Sequence, residues 1–328
     1  MASGPLAGLR VLDLSRLLPG PYCSLVLSDL GADVVKVEDR DAGDYLRSVS
    51  PEMFAALNRG KRSIVVDLPA DSFGELLARA DVLIESFRPG VLERLVPPPW
   101  PPRLIVCRIS GFGQVFSPWR DRAGHDIGYL ALAGVLSFGH SRLQLADLFG
   151  GGQQALVAVL AALVERSKTG RGRVCDISLT HGSTGLILAT SPLLDGSRPC
   201  YRVYTCASGS YALGALEPKF WQRFCAAAGH PEWTDRAFDS DLVPPVEALF
   251  RGRTRDEWDM LLRPADCCGE PVLEVSELRS HPLFEGAFAG DLLRTFPALS
   301  TDVPRSPAPS QGEHSTADVL RDWSPARG

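Results

Sequence analysis

The chain reads as an α/β protein, with a large domain on a mostly parallel sheet and then a smaller α+β domain. Three observations predict this. Short β-rich apolar runs alternate with helical patterns through the first half. Apolar residues dominate those runs, as they do in strands covered on both faces. After about Pro192 the pattern breaks into turns and resumes as a compact mixture of strand and helix.

In chain order, Arg10–Leu14 reads as the first strand. Gly20-Pro21 opens a helix that runs to Leu30 and stops at Gly31. Strands follow at Asp33–Glu38 and Ser63–Leu68, then a helix from Asp71 to Ala80 and strands at Asp81–Glu85 and Arg103–Cys107. From Gly124 the pattern is helical, with Ile127, Leu130, Ala131, Gly134 and Val135 at helical spacing. A long apolar helix is expected from Gly152 to Ser167, with Gly170 as its stop, and then a strand at Cys175–Leu179. Leu194–Pro199 is a turn-rich hinge. Beyond it, Gly209–Leu216 reads as a strand leading into a helix that begins at Pro218, where the missing N–H costs nothing. Further helices are expected at Thr254–Leu262 and Ser315–Trp323, with a proline-rich connector at Pro304–Pro309. The predicted domains are 1–190, 191–300, and a segment 301–328 that returns to the first.

Composition narrows the classes. Of 328 residues, 45% are hydrophobic and 22% charged, which is ordinary globular usage with length enough for a substantial core. A net charge of −5 argues against a nucleic-acid partner. The eight cysteines include no CxxC pair and the six histidines are scattered, so no metal site is expected and the thiols read as reduced and buried. No charged-then-apolar leader opens the sequence, and no unbroken apolar run approaches about 18 residues. The expectation is a cytoplasmic protein without a membrane partner.

Two local patterns carry chemistry. Gly124-His125-Asp126-Ile127-Gly128-Tyr129 places a histidine at a helix start. The positive end of a helix dipole favours the neutral imidazole, a usable base near pH 7. The alternative is a capping or core histidine. Gly124 lets a ligand approach the backbone closely. Ala146-Asp147-Leu148-Phe149-Gly150-Gly151-Gly152 places a carboxylate before three glycines, which are costly within any element unless the backbone passes close to something bulky. Asp147 is either a reacting acid, a helix N-cap, or both. Glu217 before Pro218 reads, by itself, as a first-turn acid. Basic loops at Asn58–Arg62 and Ser86–Arg94 flank strands, where arginine forks suit a polyphosphate. Gly111-Phe112-Gly113-Gln114 is only a fragment of a nucleotide loop.

These segments together resemble the family III CoA-transferase (CaiB/BaiF) superfamily, and within it the α-methylacyl-CoA racemases. The resemblance runs nearly end to end. It includes Pro5–Leu14, Leu18–Pro21, Leu30–Glu38, Asn58–Ser63, Asp81–Glu85 with Arg88–Val91, Ser110–Gln114, Gly214–Phe220, Asp266-Cys267 with Pro271-Val272, and Gly312–Ser315. It implies a Rossmann-like large domain and an interlocked homodimer. It implies that His125 and Asp147 form an acid/base pair, with Glu217 supporting His125. It also implies that Arg40, Asn58, Lys61, Ser86, Phe87, Arg88 and Arg94, with Gly124, Asp126 and Tyr129, bind substrate or CoA. No cofactor is implied beyond the CoA of the substrate. The implied reaction is inversion of the α-carbon of a 2-methylacyl-CoA thioester. The alternatives are CoA transfer with Asp147 as nucleophile and acyl-CoA binding without catalysis. The chain departs from the racemases in a shorter His125-to-Asp147 stretch, in Gly128, in the order Ala146–Phe149, and in a shortened Leu194–Tyr204, all near where the acyl chain is expected.

Overall fold

The computed structural model describes residues 4–115, 117–289, 292–294 and 306–324. The chain divides into two compact units, Met1–Leu188 with Gly286–Gly328, and Ala189–Glu285. The expected boundary at residue 300 and the start of the proline-rich connector lie outside the described residues.

The first unit holds a six-stranded parallel sheet. Its strands are β1 (Arg10–Asp13), β2 (Asp33–Glu38), β3 (Arg62–Val65), β4 (Val82–Glu85), β5 (Ile105–Ser110) and β6 (Val174–Ser178), in spatial order β3-β2-β1-β4-β5-β6. The helices are α1 (Pro19–Asp29), α2 (Leu46–Val49), α3 (Pro51–Asn58), α4 (Asp71–Arg79), α5 (Val91–Leu95), α6 (Asp126–Leu132), α7 (Gln154–Thr169) and α8 (Leu179–Ser183). Successive side chains of a strand point to opposite faces. Val82 and Ile84 of β4 therefore join one core with Val26 of α1 and Val159 of α7. Leu83 joins the other, with Leu76 of α4 and Leu92 of α5. Burial on both faces is why apolar residues dominate these strands.

Two helical expectations change. The α6 pattern stops at Leu132, because Gly134 turns left-handed with φ +79°. The long helix begins earlier than expected, as a π-helical stretch Ala146–Gln153 that runs on into α7. Gly150, Gly151 and Gly152 explain that start. A Cβ at Gly150 would lie 2.5 Å from the Leu179 carbonyl oxygen, and one at Gly152 would lie 2.7 Å from the Tyr22 ring. The bulky neighbours that these glycines admit are α8 and α1. The helical stretch Ala146–Thr169 is long and apolar enough to cross a membrane by length and composition. Its Ala155, Leu156, Val159 and Ala162 are buried in the first core.

The second unit has an antiparallel sheet of β7 (Tyr201–Thr205), β8 (Ser210–Gly214) and β9 (Gly269–Pro271), with α9 (Pro218–Ala228), α10 (Val243–Arg251) and α11 (Arg255–Leu262). Thr254 and Glu257 close a capping box on α11. The core centres on Phe250, stacked on Tyr204 at 4.5 Å between ring centroids and tilted against Trp258 at 4.6 Å. The chain then adds the short strands β10 (Phe288–Ala289) and β11 (Leu292–Leu293) and the helix α12 (Thr316–Asp322), which packs on α4 and buries Val319 and Trp323 in the second core of the first unit. All eight cysteines are free, seven of them buried.

Phe250 has no exposed surface and stacks against aromatic neighbours on several sides. Phe250→Ala is expected to lower stability by about 3 to 5 kcal/mol, read as a lower urea midpoint.

Candidate active site

Strand order reverses between β1 and β4, the switch point at which open α/β sheets bind ligands beyond the strand C-termini. A cleft of about 400 Å³ lies there. It is lined by Leu17 after β1, by Ser86, Phe87, Arg88 and Pro89 after β4, by Ser110 and Gly111 at the end of β5, by Tyr45, and by Arg120–His125 and Tyr129. His125 is exposed at the start of α6, and its side chain makes no capping bond.

Tyr129 forms the inner wall and is 8% exposed. A Cβ at Gly111 would meet its ring at 2.6 Å, and one at Gly124 at 2.5 Å. Gly124 is thus required by the Tyr129 ring, which takes the space that the sequence reading reserved for a ligand. Phe112 meets the same ring edge-on at 5.4 Å.

Asp147 lies in the first turn of the π-helical stretch and makes no N-cap bond, since Leu145 occupies that position. Instead its own N–H donates to the Asp126 carboxylate at 2.8 Å. Asp126 is 6% exposed, and its carboxylate is engaged by the Asp147 N–H. Burial, then the negative charge of Asp126, pushes the Asp147 carboxyl up to about 7. Burial also raises Asp126, against the pull of the Asp147 and Ala146 N–H groups. The Tyr129 hydroxyl is raised by burial and by Asp147, and is drawn down by Arg88. Asp147 and Arg88 therefore both act on a group that lines the cleft. A carboxyl poised near 7 can give or take a proton at neutral pH.

The other expected binding residues separate. Ser86, Phe87 and Arg88 line the cleft, while Arg94 is exposed on α5 outside its lining. Arg40 is exposed and pairs with Asp67 at 3.2 Å. Asn58 and Lys61 are 0% and 3% exposed. The Lys61 ammonium donates to Asn58 Oδ1 at 2.8 Å, the Pro21 carbonyl at 3.0 Å and Asp13 at 3.2 Å. These contacts close both side chains to a ligand, because a buried ammonium must spend its donors on internal acceptors. Glu217 belongs to the second unit, exposed as the residue before α9. Sequence reasoning missed Leu17, Tyr45, Arg120 and Arg122. The Arg120-Asp121-Arg122 run just before Gly124 was a usable signal. Leu17, left-handed at φ +64° with its N–H held by Asp44 at 3.0 Å, offered none. Among the described residues no group of three or more His, Cys, Asp or Glu is placed to hold a metal ion.

The sequence model of CoA-transferase family III matches residues 6–322. The chain belongs to this family. Among its relatives are the α-methylacyl-CoA racemases of Mus musculus and Homo sapiens, each 36% identical, with alignments covering 97% and 98% of this chain and 93% and 94% of theirs. A succinyl-CoA:mesaconate CoA-transferase of Haloarcula hispanica is 34% identical over 70% of this chain and 68% of its own. The crystal structure of a CAIB/BAIF family protein from Brucella suis superposes with a TM-score of 0.84 at 26% identity, covering 98% of this chain and all of that one.

In this family III member, Asp13 is held down to about 2. Burial opposes its charge, but Lys61, Lys36 and the Ser15 and Ser24 hydroxyls outweigh it. Its folded value lies below the ordinary 3.8, so its contribution to stability is present above that pH and is lost as pH falls toward 2. Lys61→Met leaves the buried carboxylate with less compensation. It is expected to cost about 3 to 5 kcal/mol in urea unfolding at pH 7. Unchanged stability with weakened CoA binding would instead restore Lys61 as a ligand residue.

Asp147 has the opposite sign. The folded protein holds its proton more tightly than the unfolded chain does, so its contribution is greatest below the ordinary carboxylate range and is lost as pH rises to about 7. Asp147→Asn is therefore expected to be more stable than the parent protein to urea unfolding at pH 8, by at most about 4 kcal/mol. Near pH 4 the advantage should disappear.

Proposed function

We propose that this chain inverts the α-carbon of a 2-methylacyl-CoA thioester by moving a proton off one face and onto the other. His125 and Asp147 are the two proton carriers. The observation that carries this reading is the poise of Asp147 near 7, one hydrogen bond away from the residue that follows His125. A thioester α-proton is weakly acidic, so its removal calls for a positioned base and stabilisation of the enolate oxygen. A carboxyl that keeps its proton near neutral pH can serve as the acid to a histidine base. The racemase relatives support the reading across nearly the full chain. Arg88, Arg120 and Arg122 bring cationic groups to the cleft, suited to the phosphates of CoA. Glu217 is assigned the support of His125 on the family resemblance. The reading needs no cofactor beyond the substrate's CoA, and we assign it to the cytoplasm.

The homodimer is part of this proposal. Beyond the core-facing side of α7, Val157 and Val164 are 53% and 58% exposed, and Leu132, Phe138 and Leu143 are exposed as well. Apolar surface of this kind is what a second copy would cover.

The transferase relatives favour a second reading, in which the Asp147 carboxylate attacks an acyl-CoA to form a mixed anhydride and expels CoA thiolate. The thiolate then attacks the Asp147 carbonyl of the anhydride, releasing the first acid and leaving CoA on Asp147 as a thioester for transfer to a second acid. A nucleophilic carboxylate must be ionised, and burial beside Asp126 works against ionisation. We therefore rank it second.

The test is incubation with 2-methylacyl-CoA thioesters in deuterated water, followed by NMR of the α-position. Deuterium incorporation with loss of optical purity is expected, falling at least about 100-fold in both His125→Ala and Asp147→Ala. Full exchange in both variants would remove the assignment. Hydroxylamine capture of an acylated Asp147 would establish the transferase instead.

A further inference from the structure

The carboxylate of Asp126 does unusual service for an acid in the first turn of a helix. Such acids ordinarily face their own free N–H groups. This one reaches 21 residues along the chain to the N–H of Asp147. The π-helical stretch is already seated on α1 and α8 by its three glycines, whose packing lies about one turn further on. The Asp126 contact therefore acts on the turn that holds Asp147 and on little else. Asp126 also follows His125 directly, so one hydrogen bond ties together the two helix starts from which the two side chains project.

We propose that Asp126 is a positioning residue, which through the Asp147 N–H sets the place of the Asp147 carboxyl relative to His125. This rests on the reading of His125 and Asp147 as proton carriers. Burying a carboxylate is costly unless it is bonded, and the Ala146 and Asp147 N–H groups supply those bonds. Its negative charge beside a second carboxyl also favours the protonated form of Asp147. The other elements packed on this stretch offer weaker influences. Tyr129 on α6 feels Asp147 and Arg88. Tyr22 of α1 packs on Gly152. His181 of α8 is bonded to Ser178, and Asp176 of β6 accepts from the Gln114 N–H. Cys175 of β6 is buried and neutral.

Two variants separate the placing from the charge. Asp126→Asn keeps an acceptor oxygen and removes the charge, while Asp126→Ala removes both. The Asp147 carboxyl is followed by carbon NMR of aspartate-labelled protein, its signal assigned by its loss in Asp147→Asn. In Asp126→Asn the Asp147 midpoint is expected to fall by about one pH unit, and the acid limb of the exchange-rate profile to follow it. In Asp126→Ala, kcat for α-exchange is expected to drop about 10- to 100-fold with KM little changed. An unmoved midpoint and an unmoved profile in Asp126→Asn, with only a lower melting temperature, would overturn the proposal and leave Asp126 a structural residue. If Asp126→Ala does not fold, Asp126→Asn decides alone. A shifted midpoint in a protein whose parent form exchanges no α-proton would sink the racemase reading while establishing the coupling of the two carboxyls.

Discussion

The buried carboxylate of Asp13 is the constraint on which the switch point depends. It stands at the end of β1 and binds the Ser24 hydroxyl of α1 at 2.5 Å, the Ser15 N–H at 3.0 Å and the Lys61 ammonium at 3.2 Å. Lys36 of β2 completes the cluster through the Ser15 carbonyl at 3.0 Å and Asp44 at 2.8 Å. Buried charges persist only when paired and hydrogen-bonded. This cluster meets that condition by tying three neighbouring chain segments to one atom group. The turn after β1, including the strained Leu17, is held there, and that turn forms one side of the cleft.

Electrostatics of a second kind operate at Asp147. At Asp13, cations outweigh the cost of burial and the charge is kept. At Asp147, burial and a neighbouring carboxylate act together, and the proton is kept. The two aspartates differ in what surrounds them, not in type. That difference makes one a structural anchor and the other a group able to exchange a proton near neutral pH. The two chemistries named among the relatives ask different things of such a carboxyl. A racemase needs a carboxyl that can hold a proton between turnovers. A transferase needs one that is free to attack.

Much of the parallel sheet was legible because strands covered on both faces are apolar over most of their length, as Val82–Ile84 and Ile105–Cys107 show. Helix ends were legible where a special residue marks them, such as Gly170 at φ +72° or Thr254 with Glu257. His125 and Asp147 stood out because their local patterns were costly or polar without an evident structural reason. Their neighbours were harder. Lys61 sits in a basic loop like any phosphate-binding lysine, yet its partner Asp13 lies 48 residues away and turns it into a core residue. Gly124 looked like room for a ligand until Tyr129 filled the space.

Sequence alone determined the α/β class, the family, and which residue types stand at positions 125 and 147, because periodicity and side-chain chemistry are local properties. Tertiary structure alone decided which of those residues face the cleft and which face one another. It turned Asp126 inward toward Asp147, buried Asn58 and Lys61, brought Arg120 and Arg122 to the rim, and started the long helix early as a π-helical stretch. The reason is physical. Burial and hydrogen-bond partnership are set by segments far apart in the chain, and the charge state of a carboxyl follows from both.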